Sequence, residues 1–176
     1  MHWVLLFITL FLITPQLAIA RTTPDDINQA NQQSFNTRVA KYTPAHQQQL
    51  KELAAQIAAA NKEETDTLEQ IMVTQGLILD EYQRRNLTQS RIDTQTKYHT
   101  PNDALYQDGI EKARYWITYA HEAVAYQAAQ VYIINLTSEG NIKSDTRSTV
   151  SQMRAGVASA RQKVLNSQKT LEAIIK

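Results

Sequence analysis

VSQMRAGVASARQKVLNSQKTLEAI, residues 150 to 174, steps 3-4-3-4 through Val150, Met153, Val157, Ala160, Val164, Ser167, Leu171 and Ile174. That spacing is the seam of a coiled coil, with Ser167 as its one polar member. A second seam lies upstream in Ile110, Ala113, Ile117, Ala120, Val124, Gln127, Val131 and Ile134. Its alternation of β-branched and mostly small residues implies close helix approach. A third, looser stripe runs through Leu50, Ala54, Ile57, Asn61, Glu64, Leu68, Ile71, Gln75, Ile78 and Tyr82. Asn61, Glu64 and Gln75 interrupt it, and Leu53, Met72 and Leu79 beside it are expected to patch the seam.

The punctuation between the stripes is consistent with three long helices. Thr43-Pro44 and Thr100-Pro101 each place an N-cap hydroxyl before a proline at the first helical position, with Asp103 completing a box-like pair with Thr100. Polar segments 86–99 and 135–138 separate the stripes. The expected helices are 44–87, 101–134 and 138–175, each about 50 to 65 Å long at ~1.5 Å per residue. Short links make them an all-α, antiparallel up-down-up three-helix bundle. Residues 24–42 open on Thr23-Pro24 and carry Ile27, Phe35, Val39 and Tyr42, so an additional N-terminal helical segment is expected, broken from the first long helix at Pro44. The domain reading is thus 1–20 leader, 21–43 helical segment and 44–176 bundle.

The leader is read from Trp3 to Ile13, apolar throughout except Thr9, followed by Thr14-Pro15 and by Ala18-Ile19-Ala20, whose small residues suit signal peptidase. Cleavage after Ala20 makes the protein exported, periplasmic or extracellular. The competing reading is an uncleaved N-terminal anchor, because no Lys or Arg precedes the apolar run; that run is short of the ~20 residues that cross a bilayer. Only the uncleaved form would involve a membrane.

Composition removes several function classes. The 18 Lys and Arg and 17 Asp and Glu all follow residue 20 and leave a net charge of +1, which argues against a dedicated nucleic-acid binder. There is no cysteine, hence no disulfide, no thiolate metal site and no thiol nucleophile. Four glycines and four prolines are few for the length, as helical composition requires.

With the stripes in place, a resemblance can be stated. A leader, a long Gln- and Ala-rich helix, Gly-Ile-Glu-Lys-Ala at 109–113, Ala-Tyr-Gln-Ala-Ala-Gln-Val-Tyr-Ile-Ile at 125–134 and a final heptad helix together resemble small secreted coiled-coil proteins of uncultured candidate-phylum bacteria. The resemblance spans nearly the whole chain after the leader and implies a fold and an address, but no activity. In size, export and helical layout alone, the chain is similar to minor pilus-tip subunits of type IV secretion systems. In such a bacterial setting the sequons at Asn86 and Asn135 carry no meaning.

Tyr-Ala-His-Glu-Ala-Val-Ala-Tyr, residues 119–126, lacks one side chain of a zinc helix: Ala125 stands where His-Glu-x-x-His needs its second imidazole. His46, His99 and His121 are spread along the expected bundle, the last two about 30 Å apart, so no metal site and no cofactor is expected. No Gly-x-Ser-x-Gly elbow or phosphate-cradling loop occurs, and a thin bundle offers no obvious cleft, so no catalytic residue is assigned. Two surfaces remain. Tyr115, Tyr119, Tyr126 and Ile133 fall opposite the seam of the second helix, which is therefore apolar on both faces. Either residues 24–42 fold back over this strip, the preferred reading because tyrosine tolerates water, or it is a homo-oligomer or protein-partner interface. Arg147, Arg154 and Arg161 recur every seven residues on the last helix. Flanking salt bridges to the acidic first helix are preferred there over contact with an anionic envelope polymer or lipid headgroup. Trp116 is expected to be largely buried. The leading functional expectation is a non-catalytic exported structural or interaction module of the envelope or extracellular space. The alternative is a partner-binding tip or adhesion subunit of a secretion or pilus-like apparatus, and more remotely an unrecognised hydrolase.

Overall fold

The structure, a computed structural model, describes residues 24–95 and 103–175, with side chains at 28–86 and 108–175. The leader, the Thr100-Pro101 cap and His99 lie outside the described residues. Among the described residues four α-helices follow in order: α1 Pro24–Val39, α2 Pro44–Gln95, α3 Asp103–Ala128 and α4 Ile142–Ile175. A single 3-10 turn, Glu139–Asn141, leads into α4. The chain is all-α, as the stripes require, with no strand among the described residues.

Side-chain pairs fix the directions. Asn61 meets Gln127 and Gln83 meets Arg114, so α2 and α3 run antiparallel. His46 meets Glu139, Glu64 meets Arg161 and Gln75 meets Ser167, so α2 and α4 run parallel. The up-down-up bundle follows.

The seam of α4 is buried as its spacing demands, from Met153 through Leu171. On α3 the seam holds from Ile110 to Gln127 and then stops. The helix ends at Ala128, six residues before the expected 134, and residues 130–136 are neither helix nor strand. In this segment Ile134 and Leu136 are buried and Tyr132 and Ile133 are half-buried, while Val131 and Asn135 are exposed. A run of β-branched and aromatic residues lowers the helix propensity here. It crosses the end of the bundle, where Ile134 and Leu136 join Leu50, Ile57, Met153 and Val157 in the largest apolar cluster.

On α2 the buried line is Leu50, Ile57, Asn61, Thr65, Leu68, Met72, Gln75 and Leu79. Ile71 and Ile78, expected in the seam, are exposed instead; Met72 and Leu79 replace them. The reason is phase: a straight helix drifts about 20° per heptad from a strict seven-residue repeat, so the buried line shifts one residue along the sequence. The helix also continues to Gln95, eight residues past the expected end.

α1 does not fold over α3. Phe35, Val39 and Tyr42 pack on the cluster at the α2 N-terminus, and Arg38 donates to the Leu136 carbonyl, tying α1 to the segment after α3. The segment therefore closes the end of the bundle and leaves its flank open.

Candidate functional site

The outward face of α3 is the most unusual surface of the molecule. Tyr115 and Tyr119, one turn apart, stack with centroids 6.2 Å apart and planes within 3°. Trp116 meets both edge-on, at 5.7 Å from Tyr115 and 5.8 Å from Tyr119. Lys163 of α4 sits 5.0 Å from the Tyr119 centroid, which orders that ring by a cation–π contact. Tyr126 extends the strip two turns onward. Exposure of 63%, 39% and 71% for Tyr115, Tyr119 and Tyr126 shows that nothing in the described chain covers them. Trp116 is half-buried, less than expected, because its position lies at the edge of the seam and one side of the ring is turned to the tyrosines. Ile133 does not continue the strip. With the helix ended at Ala128, it lines a groove of about 420 Å³ beside Phe35 of α1.

Of the arginine row, Arg161 pairs with Glu64 across α2 and α4 at 2.5 Å, with both side chains about half exposed. Arg147 and Arg154 have no ion pair among the described residues. The flanking salt bridge thus forms at one of three levels.

The half zinc motif lies open: His121 and Glu122 are both exposed on α3. Among the described residues no three His, Cys, Asp or Glu side chains come together to hold a metal ion. The closest approach of such groups is structural. Glu139 reaches back to the start of α2, accepting from the Thr43 backbone N–H at 2.8 Å and lying 2.7 Å from His46 Nδ1. The Thr43 N–H, then the His46 ring, hold the Glu139 carboxyl below its ordinary range. Sequence reasoning assigned the α2 start to Thr43 alone; the distant glutamate is invisible without the fold. On α2, Arg84 and then Arg85 pull Glu81 down to about 2, an arrangement local to one helical turn. Neither shift marks an acid–base pair in a cavity.

Grooves exist among the described residues where sequence expected no cleft. The one beside α1 is lined by Asn31, Ser34, Phe35 and Arg38 together with 130–136 and Gln152, and holds neither a carboxylate nor a histidine. The other, of about 500 Å³, lies between α2 and α4. No family model matches the chain, and neither a curated protein nor a solved structure matches it.

Proposed function

We propose that the chain is an exported, non-catalytic helical interaction module of the cell envelope or extracellular space, binding a protein partner through the tyrosine face of α3. The observation that carries this reading is the exposed, mutually stacked Tyr115–Tyr119 pair with Tyr126 beyond it. Tyrosine presents a large amphipathic surface with few rotatable bonds, and here the stack and Lys163 restrict those bonds before any partner arrives. Such anchors dominate binding energy at protein interfaces. Export rests on the Ala18-Ile19-Ala20 boundary read in the sequence.

The test has two arms. Fractionation with N-terminal sequencing should find the chain outside the cytoplasm and beginning at Arg21; an intact segment 3–13 on the exported form would make it an anchored protein. Crosslinking in envelope extracts should give a discrete adduct that Tyr115→Ser, Tyr119→Ser and Tyr126→Ser together abolish. Because all three side chains are exposed, the melt of that variant should stay within about 0.5 kcal/mol of the parent for each site. An adduct indifferent to the three changes would remove the tyrosine face from the function.

A further inference from the structure

The face shared by α2 and α4 takes no part in the reading above. Its groove of about 500 Å³ has Ile57, Met153 and Val157 at the base and Leu53, Ala60, Val150 and Ala158 toward the rim. Thr146 also lines it, and the Thr146 hydroxyl is the one buried side-chain polar atom among the described residues without a hydrogen-bond partner. Farther along, Ile71, Ile78 and Leu165 are 39%, 43% and 43% exposed on the same two helices.

Charge is sorted along this groove. Arg147, Arg154 and Arg161 form one margin on α4. On α2, Glu52 and Glu63 share a stripe with Gln56, which lines the groove. Glu52 accepts from the Gln48 amide, and neither it nor Glu63 has an ion pair among the described residues. The heights are fixed by Glu64 and Arg161, which touch across a sequence separation of 97. Both helices rise in the same direction by ~1.5 Å per residue, so Arg147 stands level with Leu50 and Arg154 with Ile57.

We infer that this groove is the interface of a parallel homodimer, with its two-fold axis along the bundle and α2 of each copy lying against α4 of the other. That symmetry preserves height. Arg147 then faces Glu52 of the second copy within about 3 Å of its level, Arg154 faces Gln56, and Arg161 faces Glu63. Each pairing occurs twice, and the groove linings of the two copies meet as the core of a four-helix assembly whose flanking charges set orientation. A two-fold across the bundle would instead set α4 on α4, arginine against arginine, and acid against acid, which like-charge repulsion opposes. An acidic helix from another protein would satisfy the arginines and leave Glu52 and Glu63 facing it. A second copy carries both rows in complementary order and satisfies both.

Sedimentation equilibrium on the purified chain tests this. The parent should be a dimer whose affinity falls with added salt. Arg147→Glu should weaken the dimer about tenfold or more, with helicity and melt retained, and Glu52→Arg should behave alike. An equimolar mixture of the two variants should regain the dimer as a heterodimer, the result that separates parallel from crossed packing. A parent that stays monomeric at the highest soluble concentration overturns the inference, as does a dimer insensitive to the charge reversals. A mixture that fails to associate overturns the parallel arrangement. A dimer dissolved by the three tyrosine substitutions instead would place self-association on α3.

Discussion

Gly156 marks the closest approach between α4 and the end of α3. A methyl group there would fall inside the Gln127 amide, whose Nε2 donates to Asn61 Oδ1 at 2.8 Å and to Tyr132 Oη at 2.7 Å. Moving Gln127 aside would break both bonds, and a buried group left unsatisfied costs about 1–3 kcal/mol. Alanine returns about 1 kcal/mol of helix propensity over glycine. Gly156→Ala should therefore destabilise by about 1 kcal/mol in denaturant melts, and should turn stabilising in a Gln127→Ala background where the obstruction is gone. Gly76 on α2 is the contrast, with nothing within 4 Å of an added Cβ. Gly76→Ala should stabilise by about 0.5–1 kcal/mol. A stabilising Gly156→Ala in the parent would mean that Gln127 is free to move. In the sequence, small residues on the seam of α3 implied close packing; which glycine met which side chain depended on how α3 and α4 slide past one another, and no single stripe records that.

At the scale of elements, the start of α2 depends on a turn nearly a hundred residues away. Glu139 satisfies a backbone N–H at the α2 N-terminus, where a negative charge also opposes the helix dipole favourably. Its carboxyl is held below the ordinary value of 4.5, by the Thr43 N–H first and His46 second. A carboxyl lowered in the folded state gives stability that is present above the unfolded value and disappears as pH falls through the folded one. The melting temperature of the parent should thus drop between about pH 6 and about pH 3, and Glu139→Gln should show a lower melt at neutral pH with a smaller acid-side drop. Equal acid-side drops in the two proteins would assign the loss to other carboxylates. The ends of elements were the part of the fold least legible in sequence. Ile134 fits a seven-residue seam with Val131 and a two-residue spacing with Tyr132 and Leu136 equally well, and in the structure Ile134 and Leu136 join the cluster at the bundle end from outside any helix. The buried phase of α4 was legible because its repeat is unbroken. That of α2 was legible only in part, because apolar residues at 71 and 72 and again at 78 and 79 offered two registers: Met72 and Leu79, expected as patches of the seam, are buried, while Ile71 and Ile78, expected in it, are exposed.

Among the described residues the core is divided into three apolar clusters. Two polar layers interrupt it. Asn61 and Gln127 exchange two hydrogen bonds between α2 and α3, and Ser167 donates to Gln75 Oε1 at 2.6 Å between α4 and α2. In sequence Asn61 and Gln75 read as defects of a stripe; in space each has its complement on another helix at the same height. Polar pairs of this kind restrict which heptads lie side by side, since a slip by one repeat would bury each amide against apolar side chains. The Asn61–Gln127 layer can be taken apart by a double-mutant cycle. Gln127→Met keeps the volume and the bond from Asn61 Nδ2 to the residue 127 carbonyl but leaves Asn61 Oδ1 buried without its donor, at a cost of about 1–3 kcal/mol. Asn61→Leu orphans Gln127 similarly, though its bond to Tyr132 keeps that cost toward the lower end. Replacing both removes the desolvated groups together and should be near neutral, so the coupling between the two sites should exceed about 1 kcal/mol in equilibrium denaturant melts. Costs that simply add would mean that water reaches the layer and that α2 and α3 are held in register by their apolar seams alone.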